Sequence, residues 1–297
     1  MAIAFKQLHP LFVGEVSGVD LTQPFPAGLA QEIVAGLDKY GVLIFHDQNI
    51  ADEQQVAFSQ LFGPIETTRY LLRPGEPLRL NKHFADVSNM DAHNRVVARD
   101  DRKWMGILGN RLWHTDSSFK QMSATYSLLS AHAVTPTGGE TEFADMRAAY
   151  DALSPEMQGR IENLIAEHSI FNSRAKLGFT DFSPEERAGT PPVAQPMVRI
   201  HPGSGRKALY IASHAGSIFG MPVPEARMLL LDLIEHATQR RFVHTHHWQV
   251  GDLVMWDNRC NMHRARDFDA SLPRDMRRTT VCDLANDKRP AAKRVAA

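Results

Sequence analysis

The sequence predicts an α+β protein whose core is a β-sandwich or jelly roll. Many short apolar runs are bounded by glycine- and proline-rich turn signals, as expected for strands. A few amphipathic stretches of helical period lie early in the chain and between those runs. The 297 residues show no internal repeat and can bury a sizeable core.

The first elements follow from apolar spacing. Leu29, Ile33 and Leu37 recur at helical intervals and predict a helix that Gly41 ends. The continuous apolar run 42–45 predicts a buried strand. Asp52 is expected to cap the next helix, with Gln55 as its capping-box partner.

Three later helices are predicted from their start signals. Ser154-Pro155 opens a helix through about His168, and Ser183-Pro184 opens a short one. A third helix is predicted over 224–238. Strands are predicted over 12–20, 125–134, 140–143, 197–201, 208–213, 242–248, 253–256 and 276–283, and the turn at 203–205 suggests a hairpin.

Residues 67–108 carry several basic side chains, proline and glycine, but little periodicity. A stretch this long without regular structure is typical of an active-site lid, although a solvated basic loop has the same pattern. The basic, alanine-rich tail 288–297 is expected to be frayed. We expect residues 1–297 to form a single domain.

Composition excludes several functional classes. The formal net charge of −1 argues against nucleic acid as a main partner, because binding phosphates requires a basic face. No apolar run approaches a membrane span, and the N-terminus lacks a signal-peptide layout. Two cysteines exclude a disulfide scaffold and fit a reducing cytoplasm, where we expect the protein to be located.

One His-x-Asp motif occurs, at His114 and Asp116. Residues two apart on an extended strand point to the same side, so both side chains can reach one metal ion. His263, far along the chain, is the best candidate for a third ligand. Two imidazoles and one carboxylate form the facial triad of non-haem Fe(II) oxygenases. The motif alone is weak, because a surface histidine followed by a capping aspartate looks the same.

Three further residues fall at suggestive positions. Thr141 follows the Gly138-Gly139 turn, and Arg274 and Arg278 follow His263. Arginine is the natural partner of a carboxylate, because its planar fork donates two parallel hydrogen bonds. If both are extended, the two arginines share a strand face and could each hold an anionic group.

With these residues the sequence resembles the Fe(II)/2-oxoglutarate-dependent dioxygenases of the taurine dioxygenase family, most closely the 2,4-dichlorophenoxyacetate dioxygenases and their alpha-type relatives. The resemblance covers most of the chain. It is strongest over 112–119, 138–153 and 251–259, and it extends to 201–207.

The resemblance implies a double-stranded β-helix (jelly-roll) core with flanking helices. It implies iron bound by His114, Asp116 and His263, and 2-oxoglutarate held by Arg274 and Thr141. Arg278 would lie near the iron-proximal carboxylate or the anionic end of the substrate. Asn110 and Trp256 match positions that line such sites, although Trp256 could equally be a core aromatic.

The implied chemistry uses Fe(II), 2-oxoglutarate and O2, and yields succinate and CO2 while hydroxylating a substrate carbon. For an aryloxyalkanoate this is the carbon next to the ether oxygen, and the product falls apart to a phenol and glyoxylate. Candidates for binding the substrate carboxylate are His214, Arg278 and Arg69. Relatives are commonly oligomers, so we expect a homo-oligomer acting on a small anionic molecule.

Other functions remain open at this point. The same chemistry could act on a sulfonate or another aromatic acid. The three ligands could instead hold Zn in a hydrolase, which would be active without oxygen. A non-catalytic jelly roll that binds an anion would show affinity without oxygen consumption.

Overall fold

The computed structural model describes residues 3–67 and 78–284. Its strands are Ala4–Gln7 (β1), Gly14–Ser17 (β2), Val42–Phe45 (β3), Ala85–Asp86 (β4), Ala124–Ala133 (β5), Thr141–Asp145 (β6), Ile165–His168 (β7), Val193–Pro196 (β8), Val198–Ile200 (β9), Lys207–Leu209 (β10), Ala215–Ile218 (β11), Val243–His246 (β12), Leu253–Asp257 (β13), Asn261–Ala265 (β14) and Asp275–Cys282 (β15). Its α-helices are Leu29–Tyr40 (α1), Asp52–Gln60 (α2), Lys103–Gly109 (α3), Met146–Asp151 (α4), Pro155–Ile161 (α5), Ile170–Ala175 (α6), Pro184–Gly189 (α7) and Val223–Ala237 (α8), with a 3₁₀ turn at Arg240–Phe242.

Two sheets build the core. Over the described residues, a seven-stranded sheet has the order β1-β2-β3-β13-β5-β15-β4, and a three-stranded sheet has the order β12-β6-β14. All pairings in these two sheets are antiparallel except that of β2 with β3. A third sheet, β11-β7-β8, and the β9–β10 hairpin lie outside this core. The predicted jelly-roll core with flanking helices is confirmed.

Strand β3 is apolar and buried throughout because both faces of the large sheet are covered there. Val42 and Ile44 join the cluster that contains Phe143 of the smaller sheet. Leu43 and Phe45 point the other way, into the cluster formed with α1 and α2. Alternation along one strand therefore supplies two separate cores.

Most predicted elements are present, and two details were wrong. The residue before α2 is Ala51 and not Asp52, and its N–H donates to Gln54 Oε1 at 2.8 Å, so only the backbone half of a capping box forms, one residue earlier than expected. The helix predicted through His168 ends at Ile161. Residues 165–168 instead form β7, which pairs with β8 and β11, and these long-range pairings override the local helical pattern.

The predicted lid, 67–108, is mostly irregular where it is described, with only β4 and all but the last residue of α3 as regular elements. Residues 68–77 of that lid and the predicted tail 288–297 lie outside the described residues. No helix in the described ranges has both the length and the apolarity needed to cross a membrane.

Candidate metal centre and active site

The two predicted histidine ligands lie side by side. His114 and His263 form an isolated antiparallel bridge, in which their backbones exchange hydrogen bonds of 3.0 and 2.8 Å. Their ring centroids are 4.2 Å apart. His263 stands on β14, paired with Phe143 of β6, so the smaller sheet fixes its position. His114 is not in the extended strand we expected, because a turn begins at Asp116.

Asp116 completes the group. One carboxylate oxygen lies 3.9 Å from His114 Nε2, and the other lies 3.7 Å from His263 Nε2. The ligand atoms of the three residues lie within 4.8 Å of one another, and all three side chains are buried. The chain turn at Asp116 therefore still directs its carboxylate toward the two imidazoles.

Hydrogen bonds behind the three side chains set their orientation. His114 Nδ1 lies 2.7 Å from the Leu112 carbonyl oxygen, which can only accept, so Nε2 is left unprotonated and faces Asp116. Ser127 Oγ donates to Asp116 at 2.7 Å and accepts from Asn258 Nδ2 at 2.9 Å. Such outer partners orient metal ligands in proteins. Sequence reasoning missed Ser127, whereas Asn258 falls within a stretch that carried the family resemblance.

The electrostatics favour two neutral histidines beside an ionised carboxylate. Burial lowers the pKa of His114, and it lowers that of His263 well below its usual range. Burial alone would raise the pKa of Asp116, but Arg278, the two histidines and Ser127 together lower it to about 2. Arg278 Nη1 donates directly to Asp116 Oδ1. Neutral imidazoles and one carboxylate are the donor set that a ferrous ion accepts, so the site fits the metal.

Arg274 is buried, with 4% of its surface exposed. Its guanidinium donates to the Val87 carbonyl at 3.3 Å and to the Gly139 carbonyl at 3.1 Å. Gly139 has φ +76°, and a Cβ there would lie 3.1 Å from Arg274 Nε. No carboxylate among the described residues pairs with Arg274, and burial lowers its pKa to about 10. A buried cation of this kind is stabilised by an anionic ligand.

Thr141, at the start of β6, lies with Arg274 in a small recess beside the two histidines. Its hydroxyl accepts from Trp248 Nε1 at 2.9 Å, which leaves the hydroxyl hydrogen free to be donated. Sequence reasoning did not find Trp248. Trp256 and Asn110 also line the recess, and the Trp256 ring lies 4.6 Å from that of His263.

His214 is near the metal ligands but does not line the described cavities. Its ring centroid lies 6.0 Å from that of His114, and its Nδ1 lies 3.1 Å from Ser118 Oγ. Its role in substrate binding stays a prediction. Arg69, the other predicted substrate residue, lies outside the described residues.

A cavity of about 510 Å³ opens next to this recess. Arg274, Arg278 and Asn110 lie at the end that it shares with the recess. Described residues of the predicted lid, including those of α3, supply much of its wall. Its apolar lining includes Leu78, Leu80, Phe84, Val87, Met90, Met105, Ile107 and Phe268.

A second buried cluster, His201, Asp257 and Cys260, has its possible ligand atoms within the same 4.8 Å limit. Here His201 Nε2 lies 2.9 Å from Asp257, and Nδ1 lies 2.9 Å from Ser204 Oγ. Arg259 also donates to Asp257, and burial raises the pKa of the Cys260 thiol. Its histidine nitrogens are engaged, so the cluster is a closed network rather than a metal site.

Comparisons with known proteins agree with this site. The chain matches the family model described as taurine catabolism dioxygenase TauD, TfdA family, over residues 4–280. It is 48% identical to the alpha-ketoglutarate-dependent 2,4-dichlorophenoxyacetate dioxygenase of Cupriavidus pinatubonensis, over 96% of this chain and 99% of that protein. It is 38% identical to the (S)-phenoxypropionate/alpha-ketoglutarate-dioxygenase of Sphingobium herbicidovorans, over 93% of each.

Among solved structures, AAD-2 in complex with Mn(II) and N-oxalylglycine is similar, with a TM-score of 0.89 and 51% identity, covering 99% of this chain and 100% of that one. The predicted enzyme class, a 2-oxoglutarate-dependent non-haem iron dioxygenase that uses Fe(II), 2-oxoglutarate and O2, is confirmed. A small-molecule substrate is confirmed with it. This chain belongs to the TauD/TfdA family of dioxygenases.

Proposed function

We propose that the protein hydroxylates the carbon next to the ether oxygen of an aryloxyalkanoate such as 2,4-dichlorophenoxyacetate. 2-Oxoglutarate and O2 are consumed, and succinate and CO2 are released. The hydroxylated acetate is a hemiacetal, which breaks into a phenol and glyoxylate. The observation that carries this proposal is a mainly apolar cavity that ends, beside the buried histidine–aspartate group, at the guanidinium groups of Arg274 and Arg278.

His114, Asp116 and His263 are the residues that would hold Fe(II). When bound, the ion activates O2 together with 2-oxoglutarate. The chain supplies the orientation of these ligands: the Leu112 carbonyl fixes the His114 ring, and Ser127 fixes the Asp116 carboxylate. Burial of all three side chains excludes bulk water from the reacting centre.

Arg274 and Thr141 are proposed to bind the distal carboxylate of 2-oxoglutarate. The buried guanidinium offers charge-assisted hydrogen bonds, and the Thr141 hydroxyl can donate one more because it already accepts from Trp248. Trp256 packs against His263 and would form one wall of this subsite.

Arg278 and Asn110 are proposed to orient the anionic end of the substrate. Arg278 donates through Nη1 to Asp116, while its buried Nε has no acceptor among the described residues. An incoming carboxylate would supply one. The apolar side chains on the far walls, such as Phe84, Met105 and Ile107, suit an aryl ring better than the short polar chain of an aminosulfonate. His214 and Arg69 are kept as further candidates for substrate contact.

Three wider properties complete the proposal. Residues 1–297 form a single dioxygenase domain, in which 67–108 act as the active-site lid. The protein works in the cytoplasm, where its two cysteines, both free in the structure, would stay reduced. It is a homo-oligomer.

The decisive experiment measures succinate and phenol with Fe(II), 2-oxoglutarate and O2 over a panel of aryloxyacetates, aryloxypropionates, other aromatic acids and sulfonates. We expect one phenol per succinate with aryloxyalkanoates and little coupled turnover with sulfonates. Turnover with Zn in the absence of O2 would instead identify a hydrolase. Ligand binding without O2 consumption would identify a binding module.

A further inference from the structure

Helix α8, residues 223–237, is apolar on two faces. One face packs into the core through Ala226, Leu229, Leu230 and Leu233. On the other face Met228 and Leu231, three residues apart, are 59% and 49% exposed. Residues at this spacing are neighbours on a helix surface. The two side chains form a small exposed apolar patch among polar residues of the helix.

Charged side chains flank this patch in a symmetric pattern. Arg227 and Glu235 stand four residues before and four residues after Leu231, so the three residues follow one ridge of the helix. Both charged residues are exposed. Neither forms an ion pair with any residue in the described ranges, so both charges are available to a partner.

The pattern is self-complementary under a two-fold axis that passes beside Leu231. In an antiparallel pair of such helices, each residue faces the one equally distant on the other side of Leu231. Arg227 then faces Glu235 of the partner subunit, and Met228 faces the partner's Ile234. Helices that pack through ridges of this spacing cross at about −50°, which lays the two charged ridges alongside each other. Because of the two-fold axis, the same ion pair occurs at two places in the interface.

We propose that α8 is the contact surface for a second copy of this chain, which packs antiparallel about Leu231. The inference specifies the oligomer proposed above, but it rests on this surface and not on the substrate or the metal. One helix pair buries less than the roughly 1,600 Å² of a standard interface, so the contact is expected to depend on protein concentration.

Charge reversal tests the pairing. With Arg227→Glu, a carboxylate faces Glu235 of the partner subunit at both symmetric contacts. With Glu235→Arg, two cations face each other at the same two contacts. Each single variant should raise the dimer dissociation constant about tenfold or more, because facing like charges repel. The double variant restores both pairs and should return close to the wild-type value. Sedimentation velocity over a concentration series measures this, and unchanged succinate formation shows that each variant is folded.

A cysteine at the axis tests the geometry separately. Leu231→Cys brings two thiols together across the two-fold axis, within disulfide distance. Glu225→Cys is the matched control, because the axis keeps those two residues about 18 Å apart along the helices. Under mild oxidation, we expect rapid cross-linking of the first variant and none of the second.

Three results would overturn the proposal. One is a wild-type protein that stays monomeric at every concentration. Another is an oligomer whose dissociation constant is unaffected by either single charge reversal, which would assign the interface elsewhere. The third is a double variant as weak as the single ones. None of these results bears on succinate formation, so the proposed function is tested separately.

Discussion

Two buried clusters of this protein contain similar atoms at similar spacing, but only one has nitrogen lone pairs left for a metal. In the first, His114 and His263 stand 3.9 and 3.7 Å from Asp116, beyond hydrogen-bond range. In the second, His201 lies 2.9 Å from Asp257, and its other nitrogen contacts Ser204. Closeness of histidine, aspartate and cysteine side chains is therefore a weak criterion for a metal site. The hydrogen bonds that each possible ligand atom already makes are a better criterion.

Metal binding gives the largest expected contrast. Asp116→Ala should abolish binding of Mn(II), which is used as a redox-stable probe, because it removes the only carboxylate of the first cluster. Cys260→Ala, in the second cluster, should leave Mn(II) binding unchanged. Titration followed by electron paramagnetic resonance measures both. Loss of Mn(II) from the Cys260 variant would reverse the assignment of the two clusters.

The free energy of unfolding of the metal-free protein should depend on the second cluster, which is not expected to bind metal. Asp257→Ala leaves the buried His201 and the partly buried Arg259 without their carboxylate, and breaking a buried pair in this way costs about 3–5 kcal/mol. Denaturant unfolding of the metal-free protein measures the free energy of unfolding. Asp151→Ala, which removes only an exposed pair with Arg206, is the control and should change it little. A small effect of Asp257→Ala would mean that the second cluster is not a structural network.

The same carboxylate makes a pH prediction. Burial would raise the pKa of Asp257, but Arg259 and His201 outweigh burial and hold it well below its ordinary value of 3.8. As the pH falls, Asp257 is therefore protonated in the unfolded chain before it is protonated in the folded protein. The contribution of this carboxylate to the free energy of unfolding is complete above about pH 4 and is lost as the pH falls further. Asp257→Asn should flatten that acid-side decline in unfolding measurements. An unchanged slope would show that other groups cause it.

The arginines extend the contrast, because Arg259 binds a protein carboxylate and Arg274 has none in the described part of the chain. Arg274→Met should raise the KM for 2-oxoglutarate about a hundredfold, since hydrogen bonds to a charged group are lost. Arg206→Met, at the surface, should leave the KM unchanged. Steady-state succinate kinetics measure both, and a normal 2-oxoglutarate requirement in Arg274→Met would refute the role given to this residue.

The smallest effect is expected from the serines. Ser127→Ala removes the hydrogen bond that orients Asp116 and should weaken Mn(II) binding about tenfold. Ser204→Ala removes the equivalent support of His201 and should leave Mn(II) affinity unchanged. Equal losses in the two variants would mean that the effect is a general loosening of the fold.

Sequence reasoning found the ligands better than the strand that presents one of them. The two-residue spacing indicated His114 and Asp116, His263 was the best candidate for the third ligand, and the family resemblance implied the same three residues. Strand β14 was not predicted, because Asn261–Ala265 contains none of the β-branched residues that favour strands and its partner β6 is distant in sequence. The orienting role of Ser127 left no local signal either, since it depends on which side chain the fold places opposite.

The metal ligands and the wall of the substrate cavity are held by different kinds of structure. The histidines and aspartate are fixed by strand pairing and by turns anchored to the sheets, whereas much of the cavity wall is irregular chain between residues 78 and 102. Substitution of those wall residues changes the shape of the substrate cavity and leaves the histidine and aspartate ligands unchanged. Remodelling that one segment can therefore change which substrate fits the cavity, and a protein engineer can do the same by grafting it.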